Sequence, residues 1–176
     1  MPDGCVIWLN GAFGAGKSTV ARALAAELPD ALVVDPEDIG RMLRRVVPPA
    51  VRTSDFQDIP SWRRLTVATI ESLLRDHEVP LIVPMAVVDP AYFDETVGRL
   101  RRSGITVHHF ALVAGPKTIR RRLLWRLSPP RATWWALRRV ERCIRELRSP
   151  LFATHVDTDG RCVPDIVATI RRCASV

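Results

Sequence analysis

The sequence predicts an α/β fold in three layers: a five-stranded parallel sheet with helices on both faces. Short, continuously apolar runs alternate with stretches of helical periodicity along the whole chain. The first run feeds a glycine-rich turn and then a helix, and strand–loop–helix units of this kind build doubly wound sheets. At 176 residues, 47 % of them hydrophobic, the chain suffices for one domain with a sizeable core. With no repeat, low-complexity tract or linker in it, a single domain over residues 1–176 is expected.

Each element has its own signal. Residues 5–10 (CVIWLN) form an apolar strand stopped by glycine, and residues 20–28 carry helical spacing up to Pro29. ALVVD (31–35) predicts a second buried strand, ended by Pro36, and 36–47 a helix closed by Pro48 and Pro49. Residues 51–60 are polar and irregular, and 61–77 predict a longer helix. LIVPMAVV (81–88) is a third strand whose pairing should end near Pro84, since proline cannot donate to a ladder. A helix over 90–102, a strand over 105–113 and a helix over 117–127 follow. Beyond Ser128-Pro129-Pro130 come a helix at 135–147, a strand at 154–158 and a last helix at 164–172.

Composition narrows the partners. The net charge is +7, and Lys17 and Lys117 are the only lysines among 26 basic residues. Such a balance invites nucleic acid, but the arginines spread over several helices without interleaved aromatics to stack on bases. A solvated surface around an anionic small-molecule site is expected instead. Cys5, Cys143, Cys162 and Cys173 are far apart with no C-x-x-C pair, which predicts reduced thiols. No apolar run approaches the ~18 residues of a spanning helix. Strand-like residues begin at Cys5, leaving no room for a leader, so a cytoplasmic location is expected, as a monomer or homodimer.

The turn reads Gly11-Ala12-Phe13-Gly14-Ala15-Gly16-Lys17-Ser18 and fits G-x-x-x-x-G-K-[ST] without a mismatch. Glycines let successive N–H groups curl around phosphate oxygens, and the next helix adds its positive end. Lys17 would reach the β- and γ-phosphates of ATP, and Ser18 would complete a Mg²⁺ shell. With Thr19, Arg122, Arg126 and Thr158, the loop residues form the expected nucleotide site. A phosphate loop so early in a short chain predicts a P-loop NTPase fold with a nucleoside- or shikimate-kinase-like layout. Acceptor-binding helices would occupy about 36–77 and a lid about 126–134.

Asp35 ends the second strand and should face the same crevice as the loop. There it either accepts the proton of an acceptor hydroxyl, holds a Mg²⁺-bound water, or merely caps the helix opened by Pro36. No acidic residue follows the third strand until Asp89, which raises the importance of Asp35. Glu37, Arg41, Phe56, Trp62, Arg63, Pro84 and Met85 are candidates to line the acceptor side. Arg122 and Arg126, four apart, share one helix face, and Arg131 follows in an expected loop; such arginines can close over a transferring phosphoryl group. His108 and His109 point to opposite faces of their strand, without a partner that would suggest catalysis.

Nearly the whole chain resembles the tunicamycin-resistance protein family. The resemblance rests on IWLNGAFGAGKS, VDPEDIGRMLRRVVP, DFQDIPSWR, the long block LIVPMAVVDPAYFDETVGRLRRSGITVHHFAL, RRLLWR, WALRRVERC and SPLFATHVDTD. It implies a fold similar to small-molecule kinases, ATP with Mg²⁺, and protection against the nucleoside antibiotic tunicamycin. Members are similar in layout to chloramphenicol phosphotransferase, whose aspartate after the second strand is the base; by position that role falls on Asp35. The resemblance also implies a C-terminal membrane contact, but the tail VPDIVATIRRCASV is short and its apolar face is expected to complete the core. Three activities remain open: phosphorylation of a tunicamycin-like drug, ATP-dependent sequestration of it without transfer, and nucleotide or polynucleotide kinase activity.

Overall fold

The computed structural model describes residues 4–125 and 130–176, apart from the side chains of residues 51, 130–133 and 135. Its sheet consists of β1 (Val6–Gly11), β2 (Leu32–Val33), β3 (Leu81–Pro84), β4 (Val107–Val113) and β5 (His155–Asp157), all parallel, in the order β2-β3-β1-β4-β5. The α/β class, the five-stranded parallel sheet and the flanking helices are as the sequence predicts.

β1 lies at the centre because its side chains are apolar on both faces. Val6 and Trp8 point into one core with Trp62 and Val67 of α3 (Pro60–His77) and Val140 of α7 (Pro130–Leu147). Ile7 and Leu9 point into the other, against α1 (Lys17–Glu27) and α8 (Val163–Ala174). Period-two alternation thus feeds both layers, and Ile7 and Leu9, wholly buried, each stabilise the fold by roughly 2 kcal/mol.

Two expectations need correction. The second strand is not buried: β2 is a two-residue edge, with Leu32 and Val33 37 % and 43 % exposed, because it pairs only with β3. Its apolar run marks a strand but cannot tell an edge from a centre. The helix after the lid opens at Pro130 rather than Trp135, since proline suits the first turn of a helix. Arg131 therefore sits in the first turn of α7 and not in a loop.

β3 stops pairing at Pro84, as expected, in register with Leu9. α2 (Pro36–Val46) starts from Asp35 as N-cap, with Pro36 in its first turn, acidic Glu37 and Asp38 behind it, and Arg44 and Arg45 at its far end. This arrangement matches the helix dipole at both ends. The C-terminal ends of β1, β2 and β3 consequently deliver the glycine-rich loop, Asp35 and Pro84 to one edge of the sheet. Between β3 and β4, α4 (Pro90–Phe93) and α5 (Arg99–Arg102) are joined by a π-helical turn, and α6 (Pro116–Trp125) follows β4. Among the described residues no helix is long and apolar enough to cross a membrane.

Candidate functional site

The loop between β1 and α1 is held open by two residues in the left-handed region, Gly14 (φ 83°) and Gly16 (φ 101°). A Cβ on Gly14 would press on Leu123 at 3.0 Å, whereas one on Gly16 would meet nothing within 4 Å. Gly16 is the N-cap of α1 and offers no side chain to its first-turn N–H groups. A glycine-rich cradle at a positive helix end fits a phosphate.

Lys17 folds back across the loop, its Nζ donating to Gly11 O at 2.8 Å and Ala12 O at 3.1 Å. It stands 5.5 Å from the centre of the Phe13 ring. The ammonium is thus positioned over the cradle by the loop's own carbonyls.

A cleft of about 620 Å³ opens beside it, lined by Phe13 to Thr19, Asp35, Glu37, Arg41, Pro84, Arg122 and Thr158. Most of the sequence candidates therefore share one space. Asp35 accepts the Glu37 N–H at 2.9 Å through Oδ1 while its Oδ2 has no hydrogen bond among the described residues. Capping and facing the cleft are compatible, because the cap uses one carboxylate oxygen. Arg41 is engaged on its own helix, by Asp38 at 2.5 Å and Glu37 at 3.4 Å, and the Asp38 bond strengthens its hold on the proton. Arg122 lies at the far wall, donating to Thr158 Oγ1, Thr158 O and Ala15 O. Gly11 and Ala12 contribute carbonyls to Lys17 rather than cleft surface.

Four acceptor candidates are packing residues instead. Trp62 is fully buried, its indole N–H donating to Pro36 O at 2.9 Å, so it joins α3 to α2 and has no open face. Phe56 packs against Trp62 with ring centres 5.3 Å apart and lines neither cleft. Arg63, only 7 % exposed, is bound by Glu95 at 2.6 Å and by Gln57 O, and lies 4.2 Å over the Tyr92 ring. Met85 is buried, and its carbonyl accepts the Trp8 indole N–H at 3.3 Å. Trp62 and Arg63, in the first turn of α3, face inward because α2 packs on one and Glu95, Gln57 and Tyr92 hold the other. Arg126 lies outside the described residues, as does the side chain of Arg131.

The structure adds residues that sequence reasoning missed. Asn10, buried at the end of β1, takes the Val87 N–H at 3.0 Å and the Gly11 N–H at 2.8 Å on Oδ1, and donates to Val87 O at 2.7 Å. It clamps the start of the phosphate loop to the segment after β3. Asn10 Nδ2 also faces His109 Nε2 at 3.3 Å, and His109 Nδ1 lies 3.1 Å from Ala153 O. The amide donates to Nε2, which assigns the ring proton to Nδ1 and leaves His109 neutral. Burial pushes its pKa down to about 4. A polar residue closing a strand of apolar ones was the available signal for Asn10.

A second cleft, of about 280 Å³, shares Phe13 with the first. Asp55, Asp58, Asp89, Arg139 and Arg142 line it. D-x-x-D in SDFQD is its only trace in the sequence, and that spacing reads equally as a polar loop.

Comparison with known proteins follows this geometry. The AAA domain family matches residues 6–149. The structure of the Deinococcus radiodurans tunicamycin resistance protein superposes with a TM-score of 0.82 at 32 % identity, covering 98 % of this chain and 96 % of that one. The Mycobacterium tuberculosis APS kinase in complex with AMPPNP and APS gives a TM-score of 0.68 at 18 % identity, with both chains covered at 100 %. Shikimate kinase from Bacteroides thetaiotaomicron gives 0.62 at 15 % identity over 98 % of this chain and 99 % of that one. The last two share the fold. No curated protein matches the sequence at a significant level.

Proposed function

For a chain that belongs to the AAA domain family and to that of the tunicamycin resistance protein, we propose ATP-dependent phosphorylation of a hydroxyl on a tunicamycin-like nucleoside antibiotic. One observation carries this reading: Asp35, Lys17 and Ser18 line the same cleft, and one Asp35 oxygen is left over from capping α2. A carboxylate so placed serves as general base toward an acceptor hydroxyl that faces a γ-phosphate.

The chain's own groups divide the work. The amides of Gly14 to Ser18 would hold the β- and γ-phosphates, with Lys17 leaving its carbonyl partners for phosphate oxygens. Mg²⁺, for which the Ser18 hydroxyl and a water on Asp35 are suitable oxygen donors, would supply charge neutralisation across the β- and γ-phosphates. Among the described residues no cluster of three or more His, Cys, Asp or Glu could hold a metal, which suits an ion bound chiefly by phosphates and water. Asp35 takes the hydroxyl proton as the oxygen bonds to the γ-phosphorus and the bond to the β-phosphate oxygen breaks. Arg122 would stabilise the charge on the transferring group.

Incubating the protein with ATP, Mg²⁺ and tunicamycin and weighing the drug by mass spectrometry tests the reading. A gain of one phosphate is expected, lost on Asp35→Asn. Unmodified drug at saturating ATP overturns it.

A further inference from the structure

Phe13, a residue of the phosphate loop, lines both clefts, so the two adjoin there. Burial pushes up the pKa of the Cys143 thiol, on the wall of the smaller cleft, and the Lys17 charge offsets part of that rise. A group seated there lies beside Phe13 of that loop. At about 280 Å³ the space is near the lower end of ligand pockets, roughly 300–1,000 Å³.

The chemistry of its wall is specific. Asp55 spends Oδ1 on the Gln57 N–H at 3.1 Å and Oδ2 on Arg139 at 3.3 Å. Asp58 accepts the Tyr92 hydroxyl at 3.2 Å on Oδ1, and Asp89 accepts the Ala91 and Tyr92 N–H groups on its own Oδ1. That leaves Asp58 Oδ2 and Asp89 Oδ2 without a hydrogen bond among the described residues. Ionised carboxylate oxygens only accept, so a ligand here must offer O–H or N–H donors. Among the described lining residues three carboxylates stand beside two guanidiniums, and the two open carboxylate oxygens repel an anion.

We propose that this cleft recognises the acceptor, and that it selects an uncharged ring rich in hydroxyl and amide groups over a phosphorylated one. The inference rests on reading the larger cleft as the transfer site. It assigns acceptor recognition to Asp58, Asp89 and Arg142, and it excludes nucleoside monophosphates as acceptors while admitting a nucleoside antibiotic.

The test is calorimetric titration of the full chain, saturated with AMPPNP and Mg²⁺, with tunicamycin, uridine and uridine monophosphate. The two uncharged ligands should bind, and uridine monophosphate should bind at least about tenfold more weakly than uridine. The double variant Asp58→Asn, Asp89→Asn should weaken tunicamycin about tenfold and narrow the gap between uridine and its monophosphate, with AMPPNP affinity unchanged as the check on folding. Equal or tighter binding of the monophosphate overturns the proposal. So does the absence of binding by the uncharged ligands, or a double variant that behaves as wild type. Drug bound with this selectivity yet returned unphosphorylated supports the cleft assignment and sinks only the transfer step.

Discussion

Arg122, on α6, grips Thr158, just past β5, at two points: Nη1–H donates to Oγ1 at 3.1 Å and Nη2–H to the carbonyl at 2.9 Å. A longer bond of 3.4 Å runs from the same guanidinium to Ala15 O in the phosphate loop. The cation at the cleft wall is thus fixed by backbone from two parts of the sheet edge, a preorganised position for a group that meets developing charge. Arg122→Ala should lower phosphoryl transfer about 10²-fold or more. Thr158→Val keeps the carbonyl bond and should cost less than about tenfold, since one neutral acceptor is lost. Steady-state kinetics on both variants check the ordering; equal losses would mean that the hydroxyl, not the guanidinium, matters.

Lys17 donates to two uncharged carbonyls, Gly11 O and Ala12 O, beside the expected phosphate position. Lys17→Ala should weaken AMPPNP binding at least about tenfold, the loss of a charge-assisted bond. The thermal shift produced by AMPPNP should shrink accordingly. An undiminished shift would remove Lys17 from the nucleotide site.

Asp35→Asn separates capping from catalysis. Asparagine caps helices about as well as aspartate, so α2 and the melting temperature should hold. Transfer should fall by about 10²–10⁴-fold, the usual contribution of a general base, while drug binding persists. Retained turnover with a folded protein would give Asp35 back to its helix alone.

His109 makes stability depend on pH. Its folded pKa, about 4, lies below the ordinary 6.5, so the folded state resists a proton that the unfolded chain accepts. Stability is full above pH 6.5 and is lost as the pH falls toward 4, by up to ~3 kcal/mol. Denaturant titrations across that window should show the decline, and His109→Gln should flatten it. An unchanged slope in the variant would place the effect in other groups.

Trp62 tests the reassignment from ligand contact to packing. Trp62→Ala should destabilise the protein by about 3–5 kcal/mol, from the cavity it leaves and the lost indole hydrogen bond to Pro36 O. AMPPNP affinity per folded molecule should stay unchanged. A stable variant that has lost drug binding would restore the stacking role.

Local chemistry made much of this protein legible in its sequence. The loop from Gly11 to Ser18 needs particular backbone angles and a cation at fixed spacing, and these are written in consecutive residues. The end of pairing at Pro84 and the Asp35–Pro36 helix start follow in the same way from what single residues permit. Strand number and sheet class follow from apolar runs that only burial on both faces can explain.

Facing decided the rest. Trp62, Arg63 and Met85 have the composition of ligand contacts, yet Trp62 is bound to α2, Arg63 is held by Glu95, Gln57 and Tyr92, and Met85 is buried. No spacing along the chain reveals which side of a helix its neighbours will cover. Asp55, Asp58, Asp89, Arg139 and Arg142 come from three distant stretches and acquire meaning only where α7 meets the segments after α2 and β3. The sequence by itself determined the sheet and the phosphate loop, because those depend on near neighbours along the backbone. Only the tertiary structure decided which charged groups share a cleft, because electrostatic interaction depends on distance through space.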